Sequence, residues 1–130
     1  MKFLIILMVF SAISCDITEN RNILINNNSK DSITCFVTTN NIQIKPKNVY
    51  NEMYVDLIKN DFGMINPIRQ SWEEYIKQCD GNLIRLYIIK QDSINKYGWE
   101  KIRAKEIYNK KYLFKIKDLD QINWSINYID

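Results

Sequence analysis

The 130-residue chain contains no histidine, and it has only three glycines and two prolines. Without histidine it lacks the commonest general base and the commonest ligand of transition metals, and neither a Ser–His nor a Cys–His nucleophile can form within the chain. Three glycines are too few for a glycine-rich phosphate-binding loop. We therefore expect no enzyme activity, no cofactor and no metal site.

The charge of the chain is nearly balanced, with 18 basic and 15 acidic residues and a formal net charge of +3. Nucleic-acid binding needs a concentrated basic face, which this composition does not indicate, so we expect no nucleic-acid partner. Hydrophobic residues make up 46% of the chain, which is enough for a folded core. The length supports one small domain.

The apolar run near the N-terminus is much shorter than the roughly 20 residues that a membrane-spanning helix requires. It extends over residues 3–10, after the positive charge of Lys2, and small residues then lead from Ser11 to Cys15. A charged start, a short apolar core and a small-residue cleavage region predict a secretory signal.

The dipeptide Ser14–Cys15 at the end of this signal resembles the lipobox of bacterial lipoproteins. In that family the cysteine thiol is acylated with diacylglycerol, the chain is cut before the cysteine, and the new amino group is usually acylated too, so that such proteins take up palmitate. The resemblance implies a signal peptide at 1–14, a lipid membrane anchor on Cys15, a tether at 15–21 and one β-rich globular domain at 22–130. Ordinary secretion with a free cysteine is the alternative.

Two cysteines remain once Cys15 is assigned to the lipid. Cys35 and Cys79 form an even pair in an exported domain and could be joined by a disulfide. The alternative is two buried thiols that act as small hydrophobic side chains. Two distant cysteines are in either case too few for a zinc site.

Six segments have the alternation or the β-branched and aromatic content of strands. They cover residues 22–27, 32–39, 51–58, 83–89, 107–116 and 124–128. The first two, joined by turn-forming residues at 27–31, predict a hairpin, whereas residues 59–69 predict a loop. The apolar segment 83–89 predicts a central strand that is buried on both faces.

Short helices are predicted between these strands. Ser71 and Glu74 have the spacing of a capping box. The apolar residues that follow recur at helical spacing and are Trp72, Tyr75, Ile76 and Cys79. Gly98 is predicted to separate two brief helical segments, and Asp118 is predicted to cap a last helical turn. Together, these strands and helices predict a mainly β fold with short helices (α+β). We expect a small single domain with a β-sandwich-like antiparallel sheet of about six strands.

The three tryptophans are the most informative side chains. Trp72 lies on the apolar helix stripe and Trp124 begins the last strand, so both are predicted to be structural. Trp99, next to Gly98, is the best candidate for an exposed ring, and with Tyr97 it forms a candidate ligand-binding site. Exposed rings beside Asn and Asp side chains are one way to bind sugars, and the alternative is that both rings pack in the core.

Structural motifs spread over much of the chain resemble small uncharacterised lipoproteins of Bacteroidota. These motifs are the first strand with its Ser-Lys-Asp turn, the helix start Ser71-Trp72-Glu73, the strand 83–89, the Tyr97-Gly98-Trp99 segment and the ending 118–128. The resemblance implies an outer-membrane lipoprotein of the cell envelope, facing the periplasm or the cell surface. It transfers no active site.

The expected function is that of a lipid-anchored, non-enzymatic interaction domain at the cell envelope. Its expected partners are the membrane, through the N-terminal lipid, and an unknown protein or glycan. One alternative is a surface lipoprotein that binds a glycan or a small ligand through Trp99 and Tyr97. Another is an inhibitor or immunity-type protein that blocks a second protein.

Overall fold

The computed structural model describes residues 21–130. The predicted signal peptide at 1–14 and the predicted lipidation site, Cys15, lie outside the described residues. In the described part, the strands are β1 (Ile23–Asn27), β2 (Ile33–Thr38), β3 (Glu52–Leu57), β4 (Phe62–Ile65), β5 (Ile84–Lys90), β6 (Lys110–Phe114) and β7 (Ser125–Tyr128). The α-helices are α1 (Trp72–Gln78), α2 (Gln91–Tyr97), α3 (Trp99–Lys105) and α4 (Ile116–Gln121). Single 3₁₀ turns lie at Val49–Asn51 and Asp80–Asn82.

The seven strands of the described chain form two sheets. Sheet A has the order β4-β1-β7, in which β1 pairs antiparallel with β4 and parallel with β7. Sheet B has the order β3-β2-β5-β6, and all its pairs are antiparallel. Together with the four short helices, these sheets confirm the predicted α+β, β-sandwich-like fold, with seven strands instead of about six.

The main hydrophobic core joins the two sheets. Alternate residues of β2, including Ile33 and Cys35, are fully buried and belong to one cluster with Ile23 of β1. The helices α1 and α4 add Trp72 and Leu119 to this cluster. Because removing apolar surface from water contributes about 25 cal/mol per Å², this cluster supplies the main force that holds the sheets together.

A second, smaller cluster lies on the opposite face of sheet B. Phe36 of β2 and both Tyr87 and Ile89 of β5 pack there with Ile102 of α3. Because Leu86 of β5 belongs to the main core while its neighbour Tyr87 belongs to this second cluster, β5 is buried on both faces. The prediction of a central, doubly buried strand is therefore confirmed.

The predicted hairpin of the first two strands is wrong, because β1 belongs to sheet A and β2 to sheet B. The connection between them crosses from one sheet to the other, and the buried side chain of Asn27 holds it in place. The Asn27 Nδ2 atom lies 2.8, 3.2 and 3.0 Å from the carbonyl oxygens of Asp31, Leu57 and Ile58. Its Oδ1 accepts hydrogen bonds from the Ser29 amide and hydroxyl at 3.1 and 2.7 Å. Asn27 thereby ties the β1–β2 connection to the β3–β4 connection, which also crosses between the sheets.

The loop predicted at 59–69 is also corrected, because it contains β4. This edge strand of sheet A includes Gly63, where an added Cβ would lie 2.8 Å from side-chain carbons of both Leu57 and Val55. Glycine at this position lets β4 approach β3 closely at the point where the chain passes from sheet B to sheet A.

The helix predicted to begin after Ser71 is confirmed. Ser71 Oγ accepts a hydrogen bond from the Glu74 amide at 3.1 Å, and Glu74 Oε2 accepts one from the Ser71 amide at 3.2 Å, which completes the capping box. The last helix begins earlier than predicted, at Ile116. Asp118 therefore caps it from inside the first turn, where its Oδ2 accepts a hydrogen bond from the Lys115 amide at 2.8 Å.

Arg21, which the sequence assigned to the tether, packs onto the folded domain. Its carbonyl oxygen accepts a hydrogen bond from Trp72 Nε1 at 2.6 Å, and its guanidinium carbon lies 4.6 Å from the ring centroid of Trp124. The guanidinium also pairs with Glu73 and, at 3.2 Å, with Asp120. Among the described residues, Arg21 therefore belongs with the domain predicted at 22–130, and both tryptophans predicted to be structural are buried.

Cys35 and Cys79 are both free and buried, which corresponds to the alternative of two buried thiols and not to a disulfide. Burial raises the pKa of the Cys35 thiol to about 12, and the nearby carboxylate of Asp56 acts in the same direction. Burial also raises the pKa of the Cys79 thiol to about 11, with Arg85 acting in the opposite direction. Both thiols are therefore protonated at neutral pH.

These two thiols are expected to react with Ellman's reagent at least about 100-fold more slowly in the folded protein than in concentrated guanidinium chloride, because the thiolate is the reactive form. The measurement counts reactive thiols in unreduced protein at neutral pH, with and without the denaturant. A pair of thiols at Cys35 and Cys79 that appears only on unfolding agrees with the structure. If these thiols appear only after a reductant is added, the disulfide forms instead.

Candidate functional site

A groove opens on the outer face of sheet B because the helices cover this face incompletely. α2 and α3 pack over β5 and over Phe36 of β2, whereas β3, at the edge of the sheet, presents exposed Tyr54 and Asp56 side chains. The space between these elements has a volume of about 1090 Å³. This volume is slightly larger than the roughly 300–1,000 Å³ of pockets that hold small molecules.

The strand β3 supplies one side of the groove through its alternation. Its even-numbered residues Glu52, Tyr54 and Asp56 line the groove, while the residues between them pack toward the main core. Thr34 and Phe36 of β2 lie directly opposite Asp56 and Tyr54 in the sheet and also line the groove. The connection from β2 to β3 and the helices α2 and α3 complete its walls.

Three aromatic rings form the centre of the groove, and we call them the aromatic cluster: Phe36, Tyr54 and Trp99. The ring centroid of Phe36 lies 6.2 Å from that of Tyr54 and 5.7 Å from that of Trp99. The centroids of Tyr54 and Trp99 are 6.4 Å apart. Phe36 is buried, Trp99 is half-buried and Tyr54 is 65% exposed. The cluster thus offers one open ring, supported by two packed ones.

An ion pair lies on one side of the aromatic cluster. Arg103 Nη2 of α3 is 2.5 Å from Glu52 Oε1 of β3, and the two side chains are only 11% and 17% exposed. Arg103 Nη1 donates a hydrogen bond to the carbonyl oxygen of Ile42 at 3.1 Å, and its guanidinium carbon lies 5.0 Å from the Phe36 centroid. One side chain thereby connects α3, β3, the β2–β3 connection and the aromatic cluster, which holds the groove in one shape.

A hydroxyl–carboxylate contact lies on the other side of the cluster. Thr34 Oγ1 donates a hydrogen bond to Asp56 Oδ1 at 2.5 Å, and Asp56 is otherwise exposed. Along β3, Asp56 and Glu52 are four residues apart, which corresponds to about 13 Å in a strand. The groove therefore has polar groups on both sides of an aromatic centre.

The two residues predicted to bind a ligand have different surroundings. Trp99 lines the groove, whereas Tyr97 packs against the second core cluster and does not line the groove. The Nζ atoms of Lys96 and Lys101 lie 5.1 and 5.2 Å from the Tyr97 ring centroid. Sequence reasoning missed Tyr54 as the open ring, although its place among the outward residues of the third predicted strand was the available signal.

Among residues 21–130, none of the helices has the length and the apolar composition that a membrane span requires. Nor does that part of the chain contain a group of three or more Cys, Asp or Glu side chains placed to hold a metal ion.

Comparisons with known proteins gave no match: no protein-family model, no curated protein and no solved structure is significantly similar to this chain.

Proposed function

We propose that this chain is a lipid-anchored, non-enzymatic binding domain of the cell envelope, and that the groove on sheet B is its binding surface. The lipid is placed on Cys15, at the outer membrane, and the domain faces the periplasm or the cell surface. The observation that carries the binding role is the aromatic cluster at the centre of a groove of about 1090 Å³.

The sequence supports the anchor. Lys2, the apolar residues 3–10 and the dipeptide Ser14–Cys15 have the order of a lipoprotein signal. Five residues separate Cys15 from Arg21, which packs onto the domain. Because an extended chain spans at most about 3.6 Å per residue, such a tether would keep the domain close to the bilayer.

The contacts in the groove favour binding over catalysis. Glu52 is already paired with Arg103, and Asp56 accepts a hydrogen bond from Thr34. These two carboxylates therefore already have partners within the fold, and the centre of the groove between them is aromatic. A ligand would meet the surface of the rings there.

Metabolic labelling with radioactive palmitate tests the anchor. The full chain, expressed in a bacterial host that processes lipoproteins, is expected to take up label and to remain in the membrane fraction. Cys15→Ala removes the only thiol that the signal presents for acylation and is expected to lose the label completely.

The matched control is Cys35→Ala, which removes a buried thiol and leaves the signal intact. This variant should be labelled as well as the unaltered chain. Label on Cys15→Ala, or an unaltered chain that is exported without label, would show that the anchor is not a lipid on Cys15.

A further inference from the structure

The charges of the groove limit the class of ligand that it can bind. The lining includes two basic side chains, Lys45 and Arg103, and three acidic ones, Glu52, Asp56 and Glu100. Because Arg103 is already paired with Glu52, no concentrated positive charge is left for a phosphate or another polyanion. The lining is mixed in sign and nearly neutral, which favours an uncharged polar ligand.

The exposed ring of Tyr54 indicates what kind of surface this ligand has. Tyr54 is 65% exposed on an edge strand, although Phe36 and Trp99 beside it are packed. A flat, exposed ring that packs against neighbouring rings is suited to a ligand that is apolar on one face. A pyranose sugar has such a face, formed by its ring C–H groups, and carries hydroxyls around its rim.

The polar groups near the aromatic cluster match such a rim. Gln43, Gln91 and Asn95 line the groove with amides, which both donate and accept hydrogen bonds, as sugar hydroxyls do. Gln91 Nε2 donates to the carbonyl oxygen of Ile33 at 3.3 Å, so this amide is already oriented. The carboxylate of Asp56, two residues from Tyr54 on the same strand, is an exposed acceptor beside the ring.

We propose that the groove binds a neutral oligosaccharide, with one sugar ring stacked on Tyr54 and its hydroxyls bonded to Asp56 and the amides. This inference rests on the proposed function, because it names the ligand of the same binding surface. The Glu52–Arg103 pair positions α3 against β3, and it bounds the groove on the side away from Asp56.

Isothermal titration of the protein, purified after expression of the full chain, with neutral tetrasaccharides tests the proposal. The panel contains cellotetraose, chitotetraose, maltotetraose and xylotetraose, and the protein is kept in a zwitterionic detergent because glycoside detergents would compete. At least one sugar is expected to bind saturably. Tyr54→Ala is expected to weaken that binding at least about tenfold, because it removes the stacking surface, whereas Tyr54→Phe keeps the surface and stays within about threefold.

The matched control is Phe62→Ala. Phe62 is 62% exposed and lies on β4, an edge strand of the other sheet, and it does not line the groove, so its removal changes a similar area elsewhere on the surface. This variant should bind the sugar as the unaltered protein does. Thermal unfolding of all variants verifies that they are folded.

Several results would overturn the carbohydrate proposal. One is the absence of binding to every member of the panel, and another is equal binding by Tyr54→Ala and the unaltered protein.

A lysine-rich peptide is titrated in parallel. If it binds and no sugar does, and if Tyr54→Ala abolishes this binding, the groove is a binding surface and only the ligand class is wrong. The absence of palmitate labelling, by contrast, would contradict the proposed lipid anchor and would leave the result of the sugar titration unchanged.

Discussion

Replacing Asn27 by alanine is expected to lower the free energy of unfolding by about 3 kcal/mol. The change removes the amide that bonds to the carbonyl oxygens of Asp31, Leu57 and Ile58, and the oxygen that accepts from Ser29. A buried polar group that loses its partner costs roughly 1–3 kcal/mol, and several groups lose theirs together. Since small domains are stable by only about 5–15 kcal/mol, urea denaturation followed by tryptophan fluorescence will resolve this loss.

Asn26→Ala is the matched control for this prediction. Asn26 precedes Asn27 on β1 but is half-exposed, and its Nδ2 donates to Asn127 Oδ1 at 2.9 Å in an exposed hydrogen bond. Removing it is expected to cost less than about 1 kcal/mol. If Asn27→Ala costs no more than Asn26→Ala, the side chain of Asn27 does not hold the two sheet-crossing connections together.

The second large effect is expected at alkaline pH. The unaltered protein loses stability there, and Cys35→Ala is expected to lose less. The pKa of the Cys35 thiol is about 12 in the folded protein and 9.0 without burial. Because the folded pKa is the higher one, the contribution of this thiol is complete below about pH 9 and is lost as the pH rises toward about 12. At about pH 11 the unfolded chain gains about 3 kcal/mol relative to the folded one from this group alone.

Urea denaturation at about pH 8 and about pH 11 measures this effect. The unaltered protein should lose about 3 kcal/mol more between the two pH values than Cys35→Ala does. Val37→Ala, two residues further along β2 and equally buried, is the control, because it opens a similar space without removing an ionisable group. If Cys35→Ala and Val37→Ala have the same pH dependence, the ionisation of Cys35 does not limit stability in alkali.

The parts of the fold that sequence reasoning found are those specified by local patterns. The capping box at Ser71 and the apolar run of β5 each depend on residues that are close in the chain. The turn after β1 was recognised, but turn residues do not determine whether the flanking strands pair with each other or enter different sheets. β4 was hidden because Asp61, Gly63, Asn66 and Pro67 favour a turn in isolation, whereas in the fold Gly63 allows close packing on Val55.

The candidate site was less accessible to sequence reasoning than the fold. Trp99 was identified because it follows a glycine that ends a helix. Its neighbours in the aromatic cluster, Phe36 and Tyr54, are distant from it in the chain. The pairing of β2 with β3 places these two rings side by side, and the packing of α3 over sheet B adds Trp99. The contact between Arg103 and Glu52 likewise depends on the packing of α3 over that sheet, which no local pattern specifies.

The parallel pairing of β1 with β7 has a consequence for synthesis of the protein. Asn26 lies opposite Asn127, 101 residues later in the chain. Until the ribosome has released the last strand, β1 lacks one of its two neighbours and sheet A cannot be completed. Contacts between such distant residues form slowly. All four strands of sheet B precede β7 in the chain, so sheet A is the later of the two sheets to be completed during synthesis.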